Sequence, residues 1–195
     1  MLFKILKGIT TFLLEIAETA IMAVLIFLAL YLFLVRPHQI RGDSMVPNFR
    51  NGENLLTEMV SYNILKRAPT RGEVIVFRSP EQPNLDFIKR IIGLPGEKIK
   101  LENGDVFIIN DENPGGFLLN EPYLEEGTQT TGRRNIKDGE LFTIPDEQYV
   151  VFGDNRERSS DSREWGAIGK DAIVGRVWLR YWPPNALGLI SPATY

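Results

Sequence analysis

Seventeen consecutive residues, Thr19 to Val35, carry no charge and are almost all apolar. As a helix, a run of this length spans roughly 25 Å, at the short end of what a bilayer core requires. Glu15 and Glu18 stand before it, and Arg36-Pro37 closes it, because proline cannot continue a helix. A cleavable export signal has a shorter apolar region, about 7–15 residues, and leaves through a small-x-small pattern. This run is longer and leaves through Leu34-Val35-Arg36-Pro37. The expectation is one uncleaved transmembrane helix over 19–35. Ahead of it, residues 1–18 can lie along the membrane surface, with Leu6, Ile9, Phe12 and Leu13 on an apolar side and Lys4 and Lys7 in water. Two basic residues precede the run and Arg36 and Arg41 follow it, so loop charge barely signals orientation.

Residues 36–195 read as mainly β. Short apolar runs at Glu73–Phe77, Phe87–Ile92, Val106–Ile109, Leu141–Ile144, Tyr149–Phe152 and Ile173–Trp182 predict strands. Turn chemistry separates them, as in Leu94-Pro95-Gly96, Asn103-Gly104 and Gly153-Asp154-Asn155. Leu55–Leu65 reads as a helix ending before Pro69. Many short strands with Gly/Pro turns point to a β sandwich or barrel. The stretch 110–140 is polar and glycine-rich, and reads as a loop-rich insertion between two core segments.

Counts of reactive residues narrow the chemistry. Net charge is only -3 and no Lys/Arg run exceeds two residues, which argues against nucleic acid as a partner. There is no cysteine, so thiol nucleophiles, disulfides and thiolate metal sites are absent. The single histidine, His38, is too few for an HExxH zinc site. No metal and no cofactor is expected. His38 itself reads as an interfacial residue at the end of the membrane segment. A hydrolase built from this chain must find its base elsewhere.

Lysine is the available base. On a strand, Phe87, Lys89 and Ile91 share one face, and Ile88, Arg90 and Ile92 the other. Desolvation between two large apolar neighbours lowers a lysine pKa, and a neutral amine can take a proton from serine. An ordinary snorkelling or ion-paired lysine fits the same spacing. For a nucleophile, Gly42-Asp43-Ser44-Met45-Val46-Pro47 supplies a tight turn, whose Ser44 N–H can face a developing oxyanion. On its own Ser44 is one of seven serines and equally a turn cap. A third segment, Gly153 to Gly166, is dense in hydrogen-bonding groups. There Asp161 and Arg163 can form a bidentate pair, and Ser159 can bond the lysine amine. A solvated surface loop has the same composition.

Together these segments resemble the signature boxes of bacterial type I signal peptidases. Gly42-Asp43-Ser44-Met45-x-Pro47 is similar to the nucleophile box and Arg71-Gly72-Glu73-Val74-Ile75-Val76-Phe77 to the strand box that follows. Phe87-Ile88-Lys89-Arg90-Ile91-Ile92-Gly93-Leu94-Pro95-Gly96-Glu97 resembles the base box. Gly153-Asp154-Asn155-Arg156, with Ser159, Asp161-Ser162-Arg163 and Trp165-Gly166, resembles the last box. The boxes occur in family order behind a single anchor, and the likeness runs from about residue 20 to 185.

The resemblance implies a membrane-anchored serine endopeptidase with a Ser–Lys dyad that removes signal peptides from exported preproteins. It implies Ser44 as nucleophile, Lys89 as base, Ser159 as the serine that bonds the lysine, and Asp161 and Arg163 as the supporting pair. It also implies a preference for small residues one and three positions before the cut. The partners implied are preproteins and the lipid bilayer, and the location a single-pass plasma-membrane protein with its catalytic domain on the extracytoplasmic face. The implied organisation is a catalytic β domain of 36–102 and 144–195, with 103–143 as an inserted smaller β cap.

Two departures stand out. Where many members have Met-x-Pro-Thr-Leu, this chain has Met45-Val46-Pro47-Asn48-Phe49, expected to affect packing more than chemistry. Where some members carry a serine as side-chain oxyanion donor, this chain has Gly42. A peptidase dedicated to one pilin precursor and a tethered β module that binds peptides without cutting remain open as alternatives.

Overall fold

The computed structural model describes residues 2–195. Two compact units divide at Arg36/Pro37.

The first unit is one helix, α1 (Leu2–Leu34). It runs without a break through the residues expected to form a separate surface segment. Nothing in 2–18 stops a helix: there is no proline, and Thr10, Thr11 and Thr19 donate their hydroxyls to carbonyls three or four residues back. The stretch long and apolar enough to cross a membrane is Leu6–Leu28, with mean hydropathy 2.1. It therefore begins thirteen residues earlier than the run of uncharged residues suggests.

The second unit is mainly β. In chain order the strands are β1 (Val35–Gln39), whose first two residues precede the division, β2 (Asn54–Glu58), β3 (Val74–Arg78), β4 (Asp86–Gly93), β5 (Lys98–Glu102) and β6 (Asp105–Ile109). They continue with β7 (Phe117–Leu118), β8 (Leu141–Thr143), β9 (Gln148–Phe152), β10 (Ile168–Gly169), β11 (Ile173–Trp182) and β12 (Gly188–Leu189). A short α2 (Ser162–Trp165) precedes β10. The larger sheet has the order β1-β2-β11-β3-β4-β9-β10, with β12 also on β11. The smaller sheet, β7-β6-β5-β8, is inserted between β4 and β9. Register shifts along β11, and between β4 and β9 at Ile91/Gly93, bend the larger sheet, since an extra residue on one strand increases local twist.

The expected helix over Leu55–Leu65 is not formed. Residues 54–58 are β2, with Leu55 and Thr57 buried and their neighbours half-buried, and only Val60–Ile64 makes a single π turn. The period-2 burial arises from pairing with β11, where Thr57 faces Val177 and Leu55 faces Arg180. Tertiary pairing here outweighs a modest helix propensity.

One apolar cluster joins the two sheets, packing Ile92, Val150 and Phe152 of the larger against Ile99, Leu101 and Ile108 of the smaller. A second lies behind β3 and β4 around Ile75, Phe77, Ile91 and Val151. A third lies under the turn after β1: Ile40, Met45, Phe49, Leu55, Val74, Val76 and Val177. It is this third cluster that seats Ser44.

Candidate active site

Ser44 lies in a turn anchored on both sides by apolar side chains. Met45 is 1% exposed and Phe49 3% exposed, and the Phe49 N–H donates to the Met45 carbonyl at 2.9 Å. These two plugs in the third cluster fix the turn and leave the Ser44 side chain facing a groove. Gly42 enters the turn at φ +92°, a conformation that L side chains rarely adopt. That backbone gives a local reason for glycine at a place where a serine would be strained. The Gly42 N–H is bonded by Asn51 Oδ1 at 3.1 Å.

The Ser44 turn is tied to the segment after β9. The Asn155 N–H donates to the Ser44 carbonyl at 3.0 Å, and Asn155 Nδ2 donates to the Asp43 carbonyl at 3.1 Å. Gly153 allows this approach. A Cβ there would run into the Ser44 carbonyl and the Ser159 hydroxyl.

Lys89 comes from the middle of β4, paired with Ile75 of β3. It is 4% exposed. Its Nζ lies 2.8 Å from Ser44 Oγ and donates to the Ile88 carbonyl at 2.9 Å. The Phe87 ring lies beside it, 5.5 Å from Nζ to the centroid. Burial disfavours the ammonium and pushes Lys89 down from 10.5 to about 8, with Asp161 and Asp154 opposing the fall from a distance. Alternation on β4 sends Arg90 to the opposite face, where it forms a bidentate pair with Asp154 at 2.9 and 2.7 Å.

Asp161 and Arg163 are both fully buried and pair through two bonds of 2.8 Å. Arg163 also donates to the Arg156 carbonyl at 2.6 Å, and Asp161 accepts from the Gly153 N–H at 3.1 Å. Burial alone would raise the Asp161 pKa, but the Arg163 guanidinium outweighs it and holds the carboxyl below the usual carboxylate range. The pair is thus tied at Gly153 and Arg156 to the segment that grips the Ser44 turn. Ser159 is 1% exposed, and its Oγ has no hydrogen-bond partner among the described residues. The expected bond from Ser159 to the Lys89 amine is not made in this structure.

Beside Ser44 opens a cavity of about 340 Å³. Ile40, Leu55, Val76 and Ile88 give it apolar walls, and Ser44 and Lys89 stand in its lining. His38 lies in this lining too. Its Nδ1 is 3.0 Å from the Thr57 hydroxyl and its Nε2 is 3.4 Å from the Asp86 carboxylate. Both ring nitrogens are thereby turned to partners other than Ser44. No group of His, Asp and Glu able to hold a metal ion occurs among the described residues.

Sequence reasoning did not single out Asn155, Asp154 or Arg90 as parts of the site. Their signal lies in the boxes, since Arg90 follows Lys89 and Asp154-Asn155 follows Gly153. Only the fold brings these segments to Ser44.

The chain matches the family described as "Signal peptidase, peptidase S26" over residues 13–182. A relative named "Signal peptidase IB" from Staphylococcus aureus is 36% identical over 183 residues, covering 87% of this chain and 91% of the relative. A "Probable signal peptidase I-2" from Synechocystis is 31% identical, covering 91% of this chain and 77% of the relative. A solved signal peptidase I from Enterococcus faecalis is 28% identical with a TM-score of 0.45, covering 56% of this chain and 97% of that one.

Proposed function

The chain belongs to the signal peptidase family, peptidase S26, and is a serine endopeptidase that removes signal peptides from preproteins; on that premise we propose that Ser44 is its nucleophile and Lys89 its general base. The observation that carries this reading is the 2.8 Å separation of Lys89 Nζ and Ser44 Oγ, with the amine buried and lowered to about 8.

In the proposed reaction the neutral Lys89 amine accepts the Ser44 hydroxyl proton as Oγ attacks the scissile carbonyl carbon. The negative charge that develops on the carbonyl oxygen is met by the Ser44 N–H. The Lys89 ammonium then returns a proton to the leaving amine, and the C–N bond breaks. For deacylation the same amine takes a proton from water as its oxygen attacks the ester carbon; the C–Oγ bond then breaks and the ammonium returns that proton to Ser44 Oγ. Ser159 is proposed as a second partner for the amine once Oγ is esterified. Asp161 and Arg163 act by holding the segment around Gly153 rigid.

The cavity of about 340 Å³ beside Ser44 is proposed to receive the substrate residues before the cut. Its apolar walls fit the small side chains that the family resemblance implies at one and three positions before it. We further propose that Leu6–Leu28 of α1 anchors the chain as a single span, with the β unit on the extracytoplasmic face. The segments on either side of the smaller sheet carry the catalytic groups, and that sheet, which takes in β5 from Lys98 as well as the expected 103–143, serves as a cap.

The test is cleavage of a preprotein bearing an Ala-x-Ala site by the purified full chain in detergent. Wild type cuts once after the site, while Ser44→Ala and Lys89→Met are inactive but folded. A Lys89→Met variant with near-wild-type turnover defeats the assignment of the base. Cleavage of several unrelated preproteins, rather than a single pilin precursor, separates a general signal peptidase from a dedicated one.

A further inference from the structure

Asn48 lies four residues beyond Ser44, at one of the positions where this chain departs from the common family pattern. Its Nδ2 donates two hydrogen bonds of 2.8 Å, one to Asp154 Oδ2 and one to the Tyr123 carbonyl. Asp154 is the carboxylate that Arg90 grips in its bidentate pair, and Arg90 is the chain neighbour of Lys89. The Arg90 guanidinium also stacks on the Tyr123 ring, 4.1 Å from its centroid. Meanwhile Asn155, the residue after Asp154, holds the Ser44 and Asp43 carbonyls. The dipeptide Asp154-Asn155 therefore clasps the nucleophile turn at both ends, with Asn48 supplying the second grip.

We propose that Asn48 is a positioning residue for catalysis, holding the turn of Ser44 in register with the strand of Lys89 through Asp154 and Arg90. The proposal rests on the Ser44–Lys89 reading above and adds how the distance between the two is kept. An amide suits this place on chemical grounds. Its NH2 group offers two protons to two acceptors, whereas a Ser or Thr hydroxyl has one proton to give. A carboxylate there would face Asp154 with like charge. The main chain supports the same geometry, because the Asn48 carbonyl accepts from Arg180 Nη1 at 2.8 Å, leaving the side chain free to reach Asp154. Asp154 and Arg90 are 3% and 4% exposed, so the link lies in a setting where water replaces lost bonds poorly.

The test uses the full chain in detergent and the same preprotein assay, with kcat and KM measured separately. Asn48→Ala removes both donors, and the near-isosteric Asn48→Thr and Asn48→Val differ by a single hydroxyl. A misplacement of an ångström between reacting groups costs about 10²-fold, so N48A and N48V are expected to lose about 10–100-fold in kcat with KM changed less than about twofold. N48T keeps one proton to give, from a hydroxyl one bond nearer the backbone, and is expected to recover only part of that loss. The proposal is overturned if N48V turns over as fast as N48T, or if N48A lowers the melting temperature while kcat stays within about threefold of wild type. If N48A is too unstable to assay, the N48T/N48V comparison decides. A wild type that fails to cleave, or an active Ser44→Ala, would instead defeat the dyad reading, so the two failures are distinguishable.

Discussion

Lys89 Nζ and Ser44 Oγ stand 2.8 Å apart, although one belongs to the middle of a strand and the other to a turn forty-five residues earlier. Hydrogen-bond reach is the geometric requirement for proton transfer, and burial supplies the rest by lowering the amine to about 8. Below that value Lys89 is an ammonium and cannot accept the serine proton; above it the amine is neutral. At pH 7 only about a tenth of the molecules hold a neutral Lys89 amine, the form the proposed mechanism requires. kcat/KM is therefore expected to rise about tenfold per pH unit below 8 and to level off above it. A pH–rate profile of preprotein cleavage checks this, and a flat profile between pH 6 and 9 would contradict a lysine base.

The same burial has a cost in stability. The folded protein loses the Lys89 proton near 8, whereas the unfolded chain keeps it to about 10.5. Between those values the unfolded state binds more protons, so stability rises with pH there; below 8 the buried ammonium costs about 3 kcal/mol. Lys89→Met is expected to abolish turnover yet melt higher than wild type at pH 7. The gap should narrow as pH approaches 10. A gap independent of pH would place its origin in packing.

Gly153 is where the Ser44 turn and the last loop meet. Gly153→Ala puts a methyl group against the Ser44 carbonyl and the Ser159 hydroxyl. Overpacking of this kind costs about 1–3 kcal/mol. Because one of the groups displaced is the carbonyl of Ser44, the proposed nucleophile, a loss of about 10²-fold in kcat is also expected. Melting curves and steady-state kinetics on the same preparation separate the two effects. A variant destabilised but fully active would show that the turn tolerates the shift.

How much of this was readable from residues alone depended on how local the signal was. The faces of β4 follow from alternation within six residues, so the placing of Lys89 beside Phe87 and the opposite course of Arg90 were legible, whereas the burial of the amine was not, because a snorkelling lysine has the same spacing. Ser44 acquired meaning only from the order of the boxes, because a turn serine has no period to betray it. Leu55–Leu65 misled because β2 owes its form to β11, more than a hundred residues away. Asn48 and Asp154 are 106 residues apart, and only the assembled sheet makes them partners. The partners of His38 were hidden for a similar reason: Thr57 and Asp86 come from β2 and β4.

His38 gives a sharp negative test. It is the chain's only histidine and it lines the groove beside Ser44. Yet its nitrogens face Thr57 and Asp86. Removing a general base costs about 10²–10⁴-fold in rate, so His38→Ala, which removes none, should lose less than about tenfold in kcat. Any larger effect should fall on KM, because the groove wall changes. A kcat as low as that of Lys89→Met would make His38 part of the proton path.

The fully buried Asp161–Arg163 pair predicts a non-additive pattern. Removing one partner of a buried ion pair leaves a lone charge in low dielectric, at a cost of about 3–5 kcal/mol. Asp161→Ala strands Arg163, and Arg163→Ala strands Asp161 and also frees the Arg156 carbonyl that Arg163 bonds. The double variant leaves neither charge, so its loss of stability should be smaller than the sum of the two single losses. The pair also has a pH signature. The Asp161 carboxyl is held below the usual carboxylate range when folded, so its contribution is complete above the unfolded pKa and is lost as pH falls through the folded one. Wild type should therefore lose stability in acid more steeply than the double variant. Melting temperatures of all four proteins at pH 7 test the first statement, and a series from about pH 4 downward tests the second. Strict additivity at pH 7 would mean that the two side chains act independently despite their two 2.8 Å bonds.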